Sequence, residues 1–296
     1  MRGVQRIILY KKIMRKMTRK YTAADPRSSE ELVEAHRQEM HFDQDSREAR
    51  EAIGILHFRG GQEEFELGKK LTKSDNPEDR AIGADILAQL GWEKRTFQQE
   101  SVDILINLLH DSDNLVIHYA AISLGHRNDT RAIPFLVQLA QHEDPLVRFG
   151  VTLGLSCHDD EQAVAALMPL TSDQDNDVRN WAMFALASQT DMDSSDIRDA
   201  LAAGLTDTEA EIRGEALVGL ARRRDSRVFS ELVKEWASHD VSMLSIEAAQ
   251  ELADPALIPH LLKLNESLDC TEDQFVADSI IDAIAACKKN IQQHTA

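Results

Sequence analysis

Apolar positions recur along this chain with a period longer than a single helix. A leucine returns at Leu56, Leu90, Leu124, Leu155, Leu186, Leu220 and Leu252, at intervals of 34, 34, 31, 31, 34 and 32 residues. Four positions before each stands a small or apolar residue: Ala52, Ile86, Ala120, Val151, Ala182, Ala216 and Ala248. Eight positions before, the series reads Ile82, Val116, Val147, Val178, Ile212 and Leu244. Spacing of i, i+4 and i+8 is one face of an α-helix. A unit this short cannot bury a core alone and must stack on its neighbours. The pattern predicts one elongated all-α domain over residues 25–296, an α-α superhelix of about seven to eight helical hairpins.

Each unit divides into two helices. The first carries the leucine stripe and follows an acidic leader (Asp111 and Asp113, Asp144, Asp175 and Asp177, Asp207 to Glu211) suited to capping its first turn. The second is more apolar and often admits proline in its first turn, as in Ala132-Ile133-Pro134 and Leu257-Ile258-Pro259. Second helices are expected near 62–72, 97–110, 132–139, 161–171, 195–206, 227–238 and 255–265. Ser28-x-x-Glu31 is a capping box that opens a leading helix. A closing helix from Gln274 to about Lys289 keeps the apolar rhythm through Phe275, Ile280 and Ile284.

Charge changes the picture at one end. Residues 1–24 hold eight basic side chains and no acid, so the remainder stands at 25 basic against 51 acidic residues, a net charge of −26. We read 1–24 as a disordered basic tail or an upstream extension of the reading frame, with Met14 or Met17 as the start. The acidic body repels phosphate, which argues against nucleic acid as a ligand and for a basic partner. No apolar run nears the ~20 residues that span a bilayer. Three scattered cysteines (Cys157, Cys270, Cys287) fit reduced thiols and a cytoplasmic location.

The motif Asp-x-x-Val-Arg-x-x-Ala-x-x-Ala-Leu-Gly, carried here by Val147-Arg148, Val178-Arg179 and Ile212-Arg213, resembles the HEAT repeat of the short phycobilisome-lyase type over about residues 46–290. Four segments, Phe58–Gln62, Asp177–Ala182, Ser195–Asp199 and Arg222–Val228, resemble the YibA-type group of bacterial HEAT proteins. The resemblance implies a right-handed solenoid without established enzymatic activity, in a group proposed as immunity partners of toxins.

Candidate chemistry is sparse. Arg148, Arg179 and Arg213 fit a ladder paired with acids of the adjoining turns better than an anion site. The resemblance also extends to deoxyhypusine hydroxylase, which holds iron with His-Glu pairs on its helices; the one such pair here, His142-Glu143, falls in a loop. Cys157-His158-Asp159-Asp160 cannot wrap four ligands round a tetrahedral ion in one turn; capping explains its aspartates. Trp181 and Trp236 read as core packing. No catalytic set and no cofactor site emerges.

What remains is surface. HEAT solenoids are expected to line their concave side with second helices, which nominates Gln138, Glu231, Lys234, Glu235, His260 and Lys263. The basic run Arg222-Arg223-Arg224 in an acidic body joins them. The expected function is a non-enzymatic, monomeric interaction protein that binds a basic protein such as a toxin domain, with no membrane, nucleic-acid or cofactor partner. The alternatives are an enzyme on this scaffold, of bilin-lyase or DNA-alkylation-repair type, and a general adaptor or assembly scaffold.

Overall fold

A computed structural model describes residues 25–40, 50–238, 241–267 and 274–294; the basic tail and Cys270 lie outside them. Among the described residues every regular element is helical. A leading helix α1 (Ser29–Glu39) precedes seven hairpins: α2 (Glu51–Arg59) with α3 (Gln62–Leu71), α4 (Pro77–Ala88) with α5 (Gln98–Leu108), α6 (Asn114–Arg127) with α7 (Ile133–Leu139), α8 (Pro145–Ser156) with α9 (Glu161–Leu167), α10 (Asn176–Phe184) with α11 (Ser195–Gly204), α12 (Ala210–Arg222) with α13 (Arg227–Ala237), and α14 (Met243–Leu252) with α15 (Ile258–Ser267). Helix α16 (Gln274–His294) closes the series. The hairpins group into two units, the described parts of Ile7–Ala166 and of Leu167–Ala296.

The helices begin where their caps dictate. Ser28 accepts from the Glu31 amide at 3.2 Å while Glu31 accepts from the Ser28 amide at 2.7 Å, completing the box. Asn76, Asp113, Asp144 and Asp175 each accept an amide of the following first turn. Gly60 ends α2 at φ 48°, a left-handed position that suits glycine.

The stripe read from the sequence is the core. Val116, Ala120 and Leu124, Val147, Val151 and Leu155, and Val178, Ala182 and Leu186 are fully buried. Each such leucine contributes roughly 1.5–3 kcal/mol by leaving water. The register between cap and leucine varies, with six residues from Arg50 to Leu56 and ten from Ser242 to Leu252. In four first helices the leucine stands eleven positions after the cap (Asp113 to Leu124, Asp144 to Leu155, Asp175 to Leu186, Glu209 to Leu220). Eleven after Asn76 is Leu87, not Leu90. Leu90 is also fully buried, but it lies past the end of α4, where the chain enters an irregular segment. There Trp92, Arg95 and Phe97 all have positive φ, a strain of about 1 kcal/mol or more each. Phe58 stacked on Trp92 (5.0 Å) and Phe65 on Phe97 (4.4 Å) hold the segment against the preceding hairpin.

Two aromatic expectations change. Trp236 is buried and donates to Ser245 Oγ at 3.1 Å, as a core tryptophan should. Trp181 instead stands 39% exposed with Phe184 edge-on at 5.6 Å. Phe275 of the closing helix is likewise exposed, whereas Ile280 and Ile284 are buried.

Within each unit the first helices approach one another most closely. A Cβ added to Gly154 of α8 would lie 2.6 Å from the Ala121 carbonyl of α6, and one on Gly150 would lie 2.8 Å from the His118 carbonyl. In the second unit, Gly214 of α12 leaves room for Leu244 of α14. Second helices meet at side-chain tips, as Phe229 of α13 meets His260 of α15 (6.1 Å). The first helices therefore form the more tightly packed layer of each unit, and the second helices pack against that layer.

Candidate functional site

The expected ladder arginines occupy one recurring geometry. Arg179 donates from Nη1 to the carbonyls of Asp173 and Gln174, six and five residues back, at 2.9 and 3.3 Å. Arg148 does the same to His142 and Glu143, and Arg213 to Asp207 and Thr208. Arg80, absent from the sequence reading, repeats the pattern on Ser74 and Asp75. Arg179 and Arg80 also reach the next turn, pairing with Asp207 (2.9 Å) and Asp111 (2.7 Å). Asp144 and Asp175 cap the helices they lead, as their position in the sequence suggests.

The second unit brings three of the nominated surface residues together. Glu231, Lys234 and Glu235 of α13 line a cleft of about 220 Å³ with Leu205, Arg213, Leu217 and Ser238. They share one wall because 231, 234 and 235 are i, i+3 and i+4 on a helix, beside the buried stripe of Val228, Leu232 and Trp236. Lys234 lies 3.3 Å from Glu231, and Glu235 accepts from the Ser242 amide and hydroxyl at 3.1 Å, capping α14. The result is an apolar floor under a rim of both charges.

The other nominated residues lie elsewhere. His260 is half-buried against Phe229, and Lys263 is exposed on α15. Gln138 is exposed in the first unit and bonds the Pro134 carbonyl of its own helix. In the Arg222–Arg224 run, Arg222 and Arg224 are exposed and Arg223 is buried. Arg222 pairs with Asp191 (2.8 Å) and donates to the Ala187 carbonyl. Arg223 is buried and donates to the carbonyls of Leu186, Thr190, Met192 and Gly219. Arg224 donates to the Leu252 carbonyl. Nearby, Arg198 and Arg227 both pair with Asp225, whose carboxyl they hold far below the usual range, with the Arg227 bond dominant.

A cluster that sequence reasoning missed sits in the first unit. Asp85 of α4 is buried between Ala84 and Ile86, with Arg50 at 3.3 Å and His36 of α1 at 3.2 Å. Burial opposes its charge, yet Arg50 and His36 outweigh it and drive the Asp85 pKa far down. His57 of α2 bonds the Asp85 carbonyl through Nε2 at 2.6 Å, and burial lowers its pKa to about 4. A lone aspartate inside the apolar run Ala81–Ala88 was the available signal. The cluster joins α1, α2 and α4 and contains no nucleophile. Among the described residues, no group of three His, Cys, Asp or Glu is placed to hold a metal ion, and no helix is long and apolar enough to cross a membrane.

Comparison with known proteins follows the same lines. The family model for HEAT repeats matches residues 102–187. Protein YibA of Escherichia coli K12 is 42% identical over 108 residues, 36% of this chain and 37% of that protein, so the match spans little more than a third of the relative. The crystal structure of E. coli YibA superposes with a TM-score of 0.65 at 29% identity, covering 90% of this chain and 99% of that one. An engineered protein superposes with a TM-score of 0.54 at 22% identity, over 87% of this chain and 77% of its own, a likeness of fold alone. Stacked hairpins, the repeated arginine geometry and these matches together give the chain HEAT repeats over residues 102–187 and an all-α, HEAT-like solenoid fold similar to that of YibA.

Proposed function

We propose that the chain is a non-enzymatic binding protein that engages a partner protein through the second-helix face of the 167–296 unit, centred on the cleft between α12 and α13. The convergence of Glu231, Lys234 and Glu235 with Arg213 around Leu205 and Leu217 carries this reading. Apolar floors ringed by polar groups are where partner side chains anchor. The net charge of −26 over residues 25–296 selects a basic partner and speeds its approach. The finer form is neutralisation of a basic toxin domain in the cytoplasm.

The test is capture from host extract by the full chain and by the triple variant Glu231→Ala, Lys234→Ala, Glu235→Ala. One stoichiometric basic partner, released by salt and bound at least tenfold more weakly by a folded triple variant, is the expected result. Equal binding by that variant removes the cleft from the interface, and recovery of chaperones alone removes the partner.

A further inference from the structure

We propose that His36 is a proton-dependent lock that fastens the leading helix α1 onto the first hairpins as a doubly protonated imidazolium bridging two carboxylates. Its Nδ1 lies 3.4 Å from Glu39 Oε2 in hydrogen-bonding geometry, and its Nε2 lies 3.2 Å from Asp85 Oδ2 as a close charge contact off hydrogen-bond geometry. Both neighbours are acceptors, and a neutral imidazole has only one N–H to give. A neutral ring would turn a lone pair toward a buried carboxylate. The three side chains are 3%, 13% and 5% exposed, so water offers little relief.

The charges around the ring come from each packed element. Glu39 belongs to α1 itself and also accepts from the Ala52 amide of α2 at 3.1 Å. Arg50, just before α2, supplies a second cation 3.3 Å from Asp85. His57 of α2 gives its Nε2–H to the Asp85 carbonyl and stays neutral. From α6, His118, Tyr119 and His126 lie within electrostatic reach of Asp85, and burial keeps all three uncharged near neutral pH. Asp85 and Glu39 thus face the Arg50 guanidinium, the His36 ring and, at longer range, Arg27. Burial opposes the His36 charge, but its contacts with Asp85 and Glu39 prevail and raise its pKa above 6.5.

The sign follows from linkage. A raised folded-state pKa gives stability that is complete below about 6.5, the unfolded value, and is lost as pH rises through the folded value. The loss falls on α1, whose Leu32 and Val33 are buried. Its release bares the apolar end of the repeat series, so α1 is a cap that alkali loosens.

Hydrogen exchange on the full chain tests this, corrected for intrinsic rates, at pH 6 and pH 9. The α1 amides are expected to lose on the order of tenfold protection at the higher pH while those of α14 hold. The variant His36→Gln is expected to show low α1 protection at both. The His36 ring signal in wild-type protein decides the matter if that variant does not fold. A titration midpoint at or below 6.5, or α1 protection indifferent to pH, overturns the lock.

Discussion

Arg127 donates from Nε to the carbonyl of Leu87 at 2.6 Å, across forty residues of chain. Arg223 stands in the same relation to Leu186, at 2.9 Å. Each arginine follows its own repeat leucine by three positions and reaches the end of the preceding first helix. There the carbonyls left over by the helix favour a cation. The remaining partners of Arg127 are Thr96 O, Gln98 Oε1 and Ser101 Oγ, all neutral. Burial lowers the Arg127 pKa to about 10. Arg127→Met therefore strands several acceptors and is expected to cost about 3 kcal/mol in urea unfolding.

The inter-hairpin pair Arg179–Asp207 is mostly shielded, with side chains 13% and 12% exposed. A double-mutant cycle with Arg179→Ala and Asp207→Ala should return a coupling of about 1 kcal/mol that shrinks in high salt. A coupling of zero would assign the work of Arg179 wholly to its carbonyl contacts.

Two glycine substitutions should part in sign. Gly154→Ala places a methyl 2.6 Å from the backbone of α6, where nothing flexible can yield, and is expected to cost about 2 kcal/mol or more. Gly54→Ala in α2 meets nothing within 4 Å and should be neutral or stabilise by up to ~1 kcal/mol. Paired thermal melts distinguish them.

Acid should weaken the first unit through His57. With its pKa lowered to about 4, the folded state resists a proton that the unfolded chain accepts near 6.5. Stability attributable to this group falls as pH drops from about 6.5 to about 4, by roughly 3 kcal/mol. His57→Gln should flatten that limb of a urea-unfolding series, opposite in direction to the alkaline loss set by His36.

Much of the fold was legible because stacking demands the same small and branched residues at the same positions. Val147, Val151 and Leu155 announced α8 and are buried as read. The misplaced Leu90 has a local cause: the strained segment Trp92–Phe97 adds chain between helices, and a fixed period absorbs that as a shifted leucine. The close packing of first helices was written in glycines. Gly125, Gly150, Gly154 and Gly214 sit inside first helices, where glycine is costly unless a neighbouring helix needs the room. The site was less legible. Glu231, Lys234 and Glu235 share a helix face by simple spacing, but Leu205 and Leu217 join them only through packing. In the Arg222–Arg224 run, Arg222 and Arg224 are exposed, and only the burial of Arg223 was hidden, because carbonyl partners leave no mark on a sequence.

The arginines that grip carbonyls five and six residues behind themselves set each turn from within its own hairpin. A hairpin copied or excised by recombination would carry its carbonyl grips along, and the arginine–aspartate pairs that reach the next turn, such as Arg179–Asp207, would need a match next door. Length in such a protein is inherited in whole steps, and its ancestry is a matter of counting.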